Sequence, residues 1–420
     1  MKRLLTTAIL VSLVLALLGS TCLGAPKTKI VFSAGSAQQN TLKRLASEFN
    51  AKSPDIQVEL LIQPAASVDH YNRLIPVLAA KDDSIDVFYM DVIWPGTFIT
   101  NGWLAPLDRW FTPDIQSQFL KGAVQTFSSK GHVYGVPLFT DGGLFYYRKD
   151  LLDKYGFSVP DTWGEMIRQA QFILEKEKNA ALDGYLYQGF RGEGAVCNWL
   201  EVLWSMGGDM VDESGRVVMN QSNRGQAALQ FMVDLVTKHK VSPRSVATDR
   251  PDDSRLKFLN GRAVFMRNWT FAYASLIEDS SPIKGKVGVA AIPHDPGYES
   301  ASCLGGWGVG VSAFSKHKEA AWKFVDFLTS YESQKALALG EATLPTRSAV
   351  YDDRDILAQM PWFASFGRGL SVVRPRPVHP DYLEMSSMLQ PELNAAISGN
   401  KSSQDAIAAM TATLTSILGK

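Results

Sequence analysis

Residues 86–94 read DVFYMDVIW, and residues 102–108 follow as GWLAPLD. The first stretch is a short run of residues that favour a β-strand, and it ends in Asp91 and Trp94 beside a turn. In open α/β sheets, ligands bind at the carboxyl ends of the strands. A carboxylate accepts hydrogen bonds from hydroxyl groups, and an aromatic ring offers a flat apolar face. The stretch therefore predicts a sheet strand that ends at a site suited to a sugar.

Alternating strand and helix patterns surround this stretch. Short apolar runs at residues 29–33, 56–62 and 87–90 favour strands. Between them, apolar residues recur at helical spacing, first at Leu42, Leu45, Ala46 and Phe49 and then at Tyr71, Leu74, Ile75 and Leu78. A strand–helix–strand–helix–strand order predicts a parallel α/β sheet with right-handed crossovers.

The chain then crosses into a second region at residues 134–141, YGVPLFTD. Gly142 and Gly143 follow and suggest a hinge, after which an aromatic strand runs into the start of a helix. Further helices are expected at residues 163–175, 224–238 and 321–331 and in the tail from 397, and a further strand at 287–293. A length of 420 residues favours two domains.

The composition is that of a globular protein without a dominant charge. Hydrophobic residues make up 46% and charged residues 20%, and the 42 Lys and Arg balance the 42 Asp and Glu. A net charge of zero provides no global field that favours nucleic acid or an anionic membrane. The expected partner is neutral or is bound by local charges.

The N-terminus predicts export. Lys2 and Arg3 precede an apolar run over residues 4–18, and small residues follow, so residues 1–24 read as a signal peptide. Two alternatives are a short membrane anchor and a lipoprotein signal, in which Cys22 would carry the lipid. The expected location is the periplasm or the cell surface, with a lipid anchor at Cys22 as the open alternative.

Two further cysteines, Cys197 and Cys303, remain after the signal peptide. In an exported protein they are either a disulfide pair or two buried small apolar residues. No Cys and His cluster has the spacing of a zinc site. We therefore expect neither a metal nor a cofactor.

The order and spacing of several segments resemble a known family over nearly the whole mature chain. These segments are residues 86–108, 137–155, 226–236, 261–269, 285–293, 304–310 and 373–380. The chain resembles the extracellular solute-binding proteins (family 1) of ABC sugar importers, and within them the trehalose/maltose-binding group.

The resemblance implies a fold and a division into domains. The fold is α/β and periplasmic-binding-protein-like (type II), with two α/β lobes joined by hinge strands and the ligand cleft between them. The N-terminal lobe is expected to comprise residues 25–139 and 302–350, and the C-terminal lobe residues 140–301 and 351–420.

The resemblance also implies a function without chemistry. The protein would capture a sugar, such as an α-linked disaccharide, by closure of the cleft. It would then deliver the sugar to the membrane permease subunits of an ABC importer. We expect a monomer that is not an enzyme and binds no nucleic acid.

The resemblance assigns sugar-hydroxyl contacts to Asp91 and Asp141. Trp269 and Trp307 are the candidates for stacking on the sugar, and Gly306 lies where backbone N–H groups approach a ligand. The alternative for an aspartate at a strand end is a helix cap or a turn, and for a tryptophan a place in the core.

A second set of candidates comes from other parts of the chain. Arg376, in the Pro-flanked stretch at residues 374–377, matches an arginine that reaches the sugar from the last crossing, and Arg73 matches another polar contact. Glu193 and Trp204 are candidates for the wall of the second lobe.

Two departures from the trehalose/maltose pattern affect the choice of sugar. The first loop has no acidic residue and offers Gln39 and Asn40 as neutral hydrogen-bonding groups. Phe139 stands where the group tends to have a tyrosine, so one hydroxyl contact is lost. A related disaccharide or a sugar derivative is therefore also compatible with the pattern.

Two other classes of protein compete with a transport function. The first is an exported glycoside hydrolase that uses Asp91 and Asp141 as its two carboxylates. The second is an adhesin or structural surface protein. The sequence has no Gly-x-Ser-x-Gly elbow, no phosphate loop and no metal-spaced His pair, so the transport function is the one we favour.

Overall fold

The structure is a computed structural model that describes residues 27–212, 214–360, 363, 373–377, 379 and 381–419. The predicted signal peptide at residues 1–24, Cys22 included, lies outside the described residues. The strands are β1 (Thr28–Gly35), β2 (Ile56–Gln63), β3 (Val87–Asp91), β4 (Ser128–Ser129), β5 (His132–Val133), β6 (Val136–Arg148), β7 (Asp183–Leu186), β8 (Ala263–Trp269), β9 (Val287–Ala290), β10 (Ser302–Val311), β11 (Leu344–Pro345) and β12 (Val373–Arg374).

The α-helices are numbered in the same way. They are α1 (Gln39–Lys52), α2 (Ser67–Ala79), α3 (Pro95–Thr100), α4 (Pro113–Gln116), α5 (Lys121–Thr126), α6 (Lys149–Tyr155), α7 (Trp163–Glu177), α8 (Glu193–Ser205), α9 (Arg224–Thr237), α10 (Pro251–Leu259), α11 (Ala272–Ile277), α12 (Lys318–Leu328), α13 (Tyr331–Glu341), α14 (Arg354–Gln359), α15 (Tyr382–Ile397) and α16 (Ser403–Leu418).

One mixed sheet runs through the molecule in the order β2-β1-β3-β10-β6-β8-β7. β1 pairs in parallel with both β2 and β3, which confirms the predicted parallel α/β unit. β10 and β6 continue the sheet beyond β3, and β10, which comes from much later in the chain, is antiparallel to both β3 and β6. The carboxyl end of β3 therefore lies beside the middle of β10.

β10 and β6, called the crossing strands below, lie between β3 and β8 in the sheet. The buried apolar side chains form separate clusters on either side of the crossing strands. Ile30, Phe32 and Phe324 belong to a cluster built from β1 to β3 and the helices α1 and α12. Trp199 and Met385 belong to a second cluster, which α8, α9, α15 and α16 cover. The division at residues 25–139 and 302–350 against 140–301 and 351–420 stays a prediction, and a further cluster packs Leu344 and Val350 against Ile356, across the expected boundary at residue 350.

The hinge suggested at Gly142 and Gly143 stays a prediction, and the structure adds two details of local structure. Gly142 and Gly143 do not interrupt the chain but lie inside the continuous strand β6. A Cβ atom on Gly143 would lie 2.2 Å from Oε1 of Glu201, so this glycine leaves room for a buried side chain. The tail from residue 397 is preceded by a full helix, α15, which was not predicted from the sequence pattern.

Candidate ligand-binding cleft

A cleft with a cavity of about 270 Å³ opens where the carboxyl end of β3 meets the crossing strands. Its walls come from the loop after β1, the start of α2, the start of α8, Arg250 with the start of α10, the end of β8 and the middle of β10. Residues that are far apart in sequence thus meet here, because the crossing strands place two halves of the chain around one opening.

Asp91 lies at the end of β3, directly opposite Trp307 on β10. Its carboxylate accepts a hydrogen bond from the Ile93 amide at 3.3 Å, and the Ser67 side chain lies near it. Burial raises the pKa of Asp91, while the nearby Arg376 guanidinium opposes that shift. Asp91 is a turn former as well as a cleft residue.

Arg376 connects the charged groups of the cleft. Its Nη2 lies 3.4 Å from Oδ1 of Asp91 and donates to the Leu304 carbonyl at 3.1 Å, and its Nη1 donates to Oε1 of Glu193 at 2.9 Å. Tyr382 donates to the same Glu193 oxygen at 2.7 Å, and the Ser386 hydroxyl donates to the other one. Helix α15 therefore orients Glu193, and through it the arginine.

Asp141 lies inside β6 and is held by one of its two oxygens. Oδ1 accepts hydrogen bonds from the Gly142 amide at 2.8 Å, from the Thr270 amide at 2.9 Å and from the Thr270 hydroxyl at 2.7 Å. Burial raises the pKa of Asp141 to about 6 in spite of these donors. The hydrogen bonds that the described residues donate to Asp141 all go to Oδ1, and Asp141 lines the cleft.

The two candidate stacking residues, Trp269 and Trp307, each pack against neighbouring side chains that hold the indole in place. The Arg267 guanidinium lies 4.1 Å from the ring centroid of Trp269 and forms a buried ion pair with Glu201. Trp307 packs against the rings of Trp94 and Tyr89. Both indoles line the cleft.

Gly306 is required by the strand geometry beside Trp307. Its φ is +133°, and a Cβ atom there would lie 2.7 Å from the Phe139 carbonyl oxygen. The pairing of β10 with β6 shifts register just after this point, between Trp307 and Gly308. The glycine thus lets β10 approach β6 closely at the floor of the cleft.

The structure brings seven of the predicted site residues together in this cleft and leaves four outside it. The seven that line the cleft are Asp91, Asp141, Glu193, Trp269, Gly306, Trp307 and Arg376. The four that do not line it are Arg73, Gln39, Asn40 and Trp204.

The positions of these four residues on their helices explain why they do not line the cleft. Arg73 and Asn40 lie on exposed positions of α2 and α1. Gln39 begins α1 and is half-buried, whereas the preceding Gln38 is buried and lines the cleft. Trp204 lies near the end of α8, where its indole N–H donates to Asp209 at 3.0 Å, and it lines a different surface depression.

Several cleft residues were not predicted from the sequence. They are Gln38, Ser67, Tyr89, Phe190, Arg250 and Phe271. Tyr89 is hidden in the apolar strand β3, and its hydroxyl is buried without a hydrogen-bond partner among the described residues. The alternation of residues in β3 places it on the same face as Asp91, which was the available signal.

Cys197 and Cys303 are both buried and unbonded in the structure. Burial raises the pKa of the Cys197 thiol, and the neighbouring Cys303 side chain acts in the same direction. The two thiols, Cys197 on α8 and Cys303 on β10, are therefore neighbours, and the structure has them as two buried free residues, which is the second of the two alternatives.

The part of the chain that the structure describes shows neither a metal site nor a membrane span. It contains no group of three or more His, Cys, Asp or Glu side chains arranged to hold a metal ion. None of the helices described there combines the length and the hydropathy needed to span a bilayer.

Comparison with known proteins gives a family and several structural relatives. Residues 34–335 match the family model described as bacterial extracellular solute-binding protein. A probable ABC transporter-binding protein of Deinococcus radiodurans is 36% identical over 319 residues, which cover 75% of each chain.

Two solved structures extend the comparison to the fold. The maltose-bound MalE3 of T. maritima is 41% identical, with a TM-score of 0.89, over 93% of this chain and 100% of that one. An ABC transporter solute-binding protein of Thermotoga lettingae, bound with α-D-tagatose, is 25% identical, with a TM-score of 0.84, over 94% and 100% of the two chains.

Proposed function

Because the chain belongs to the family of bacterial extracellular solute-binding proteins, we propose that it captures a sugar for an ABC importer and that the sugar is an α-linked disaccharide such as maltose or trehalose. Membership of the family and the shared MalE-like two-lobed α/β fold confirm the resemblance and the fold predicted from the sequence. The finer proposal includes export as a monomer, delivery to the permease subunits, and lipidation at Cys22 as the alternative to cleavage after residue 24.

The observation that carries the proposal is the pairing of carboxylates with indole rings in one cleft. Asp91 and Asp141 offer acceptors for sugar hydroxyls, and Trp269 and Trp307 offer flat faces for the C–H groups of a pyranose ring. The maltose-bound relative, at 41% identity, supports an α-linked disaccharide.

The charges of the cleft favour a neutral ligand. Its lining carries more carboxylates than guanidinium groups, and Arg250 and Arg376 already pair with acidic side chains. A sugar acid or sugar phosphate would meet Asp141 and the acidic start of α10 without a free cation to balance it.

Ligand-driven closure is the mechanism we propose. The sugar contacts Asp91 and Trp307 on one side and Trp269 on the other, and therefore binds the closed arrangement better than the open one. A shift from mostly open to mostly closed needs about 5.5 kcal/mol of differential affinity. Binding of a sugar at micromolar affinity would supply about 8 kcal/mol in total, so the requirement is reachable.

The test is a tryptophan-fluorescence titration of the mature protein with maltose, trehalose, sucrose, other α-linked disaccharides and monosaccharides, together with an assay for released product. Saturable binding of one disaccharide without turnover is the expected result, and Trp307→Ala is expected to reduce both the affinity and the signal. Release of monosaccharides would favour the hydrolase alternative. No response to any sugar would contradict a sugar ligand.

A further inference from the structure

His70 is a fully buried histidine next to the cleft residue Trp307. It lies in the first turn of α2 with 0% of its surface exposed. Neither ring nitrogen has a hydrogen-bond partner among the described residues. Buried polar atoms are nearly always paired, and an unpaired one costs stability, so the position of this imidazole requires a reason.

The ring of His70 lies against the indole of Trp307. The two ring centroids are 5.6 Å apart and the planes are nearly parallel, at 20°. Trp94 meets both rings edge-on, at 86° to His70 and 80° to Trp307. The indole is thus fixed by a flat ring along one face and by a perpendicular ring at its side, and it lines the cleft with the rest of its surface.

The imidazole is uncharged in its buried position, where neither ring nitrogen has a hydrogen-bond partner among the described residues. Burial lowers the pKa of His70 to about 4, so the ring is neutral over the ordinary pH range. The charged and titratable groups on the surrounding elements are Asp69 and Tyr71 on α2, Tyr89 and Asp91 on β3, and Arg250 and Arg376, which pair with Asp69 and Asp91. Since Asp69 and Asp91 are already engaged with those arginines, neither aspartate is free to stabilise an imidazolium.

We propose that His70 is a positioning residue that fixes the ring of Trp307 for stacking on the bound sugar. The proposal rests on the proposed function, because it concerns the same cleft. His70 itself does not line the cleft and acts only through Trp307. A flat neutral ring is the required property, so phenylalanine should replace it and leucine should not.

The experiment compares three variants. His70→Phe keeps a flat ring, and His70→Leu removes it. Tyr71→Leu is the matched control, because Tyr71 is the next residue of α2 and shares the contact with Trp94 but packs on Phe98 where His70 packs on Trp307. We expect His70→Leu to weaken sugar binding by about 3- to 10-fold, the value of one aromatic pair, with His70→Phe and Tyr71→Leu within about twofold of the wild type. Equal losses in both leucine variants, or no loss in His70→Leu, would overturn the proposal.

A pH profile provides the readout that simple packing would not change, and it also serves if His70→Leu does not fold. Asp91 and Asp141 titrate in both the wild type and His70→Phe. The sugar dissociation constant of the wild type, divided by that of His70→Phe at the same pH, therefore isolates the effect of His70. The ratio should be constant from pH 7 to 6 and change about fourfold by pH 3.5, with the wild type weaker, because a buried imidazolium without hydrogen-bond partners would be driven out of the stack towards water. A ratio that stays constant to pH 3.5 would contradict a His70 ring that stays in the stack only while it is neutral.

The failure of a sugar ligand is distinguishable from the failure of this proposal. If the wild type binds no sugar, the proposed function is wrong, but the emission of Trp307, taken as the difference from a Trp307→Phe variant, still reports its ring. That emission should change in His70→Leu and persist in His70→Phe and Tyr71→Leu. An unchanged Trp307 spectrum in His70→Leu would refute the positioning role without any ligand.

Discussion

Asp69 on α2 and Arg250, just before α10, form an ion pair across the mouth of the cleft. The arginine also lies over the ring of Phe190, 5.2 Å from its centroid. The two partners belong to opposite walls, so their contact exists only when those walls are close. Both side chains are partly exposed, and such pairs contribute about 0–1 kcal/mol each.

We therefore expect Asp69→Asn to weaken ligand binding by about two- to fivefold, chiefly through faster dissociation. The loss should shrink at high salt, because screening already weakens the wild-type pair. Stopped-flow release of the ligand at two salt concentrations measures this. Glu59→Gln is the control, since Glu59 pairs with Lys29 between neighbouring strands of one wall. A salt-independent loss in Asp69→Asn would contradict the assignment.

Asp91 should matter more for binding than for folding. Asp91→Asn keeps the shape of the side chain but removes the charge, and Arg376 retains its contact with Glu193. A hydrogen bond to a charged group is worth about 1.5–3 kcal/mol, so affinity should fall roughly 10- to 100-fold. Calorimetric titration and thermal unfolding measure the two effects. An unchanged affinity would remove Asp91 from the site.

The raised pKa of Asp141 leads us to expect that the affinity for the sugar falls in mild acid. Its pKa of about 6 means that lowering the pH from 7.5 to 5 protonates the carboxylate and removes an acceptor, so affinity should fall by about tenfold. Asp141→Asn should bind more weakly but with a flatter profile between these pH values. A wild-type affinity that is constant from pH 7.5 to 5 would show that the charge of Asp141 does not contact the ligand.

The raised pKa of Asp141 affects folding stability in the opposite direction to ligand affinity: acid should weaken binding but stabilise the fold. Since the folded pKa of Asp141 is raised above its unfolded value, its contribution to stability is present at low pH and is lost as the pH rises from about 4 through 6. At pH 7 we expect Asp141→Asn to be more stable than the wild type, by up to about 3 kcal/mol. Urea unfolding at pH 7 and pH 4 tests this, and a stabilisation that is equal at both values would contradict it.

The buried hydroxyl of Tyr89 gives a prediction with two readouts. Because it has no partner among the described residues, Tyr89→Phe should leave the free protein equally or more stable. Since Tyr89 lines the cleft, the same change should weaken a sugar that hydrogen-bonds to it by about 5- to 20-fold. Melting curves and titrations of the two proteins decide this, and an unaltered affinity would assign Tyr89 to the core alone.

The pair between Glu201 and Arg267 should be essential to the fold. Both side chains are almost completely buried, and the two nitrogens of Arg267 donate to the carboxylate at 2.7 and 2.5 Å. Glu201→Gln should destabilise the protein by about 3–5 kcal/mol, because it leaves a buried guanidinium unpaired. Glu48→Gln, which breaks an exposed helical pair, should cost less than about 0.5 kcal/mol in the same urea unfolding experiment. Equal effects would contradict this role.

The sequence predicted those parts of the cleft that local patterns encode. Asp91 follows a strand of apolar residues and Trp307 lies in a glycine-rich strand, so both could be recognised from the amino-acid sequence alone. The first loop was harder to place, because a short 3₁₀ turn at Ser36–Gln38 turns Gln38 inward one residue before Gln39. On α2, one turn of helix separates the buried His70 from the exposed Arg73, and the pattern did not reveal which of them lies near the cleft.

Contacts between distant segments were beyond the reach of the sequence. The hydrogen bonds that Tyr382 and Ser386 donate to Glu193 depend on how α15 packs on α8, which no local spacing reports. The pairing of Arg250 with Asp69 likewise depends on the relative position of two walls. These contacts follow from the path of the crossing strands and not from any one segment.

The path of β10 also has a consequence for the order of folding. Its partner β3 is synthesised roughly 200 residues earlier, and long-range pairings of this kind are formed slowly. Until β10 arrives, β3 has a bare edge and the first hydrophobic cluster lacks Val309 and Val311. A nascent chain that ends before residue 302 thus lacks the middle of its sheet, and we expect its N-terminal half to stay a client for chaperones.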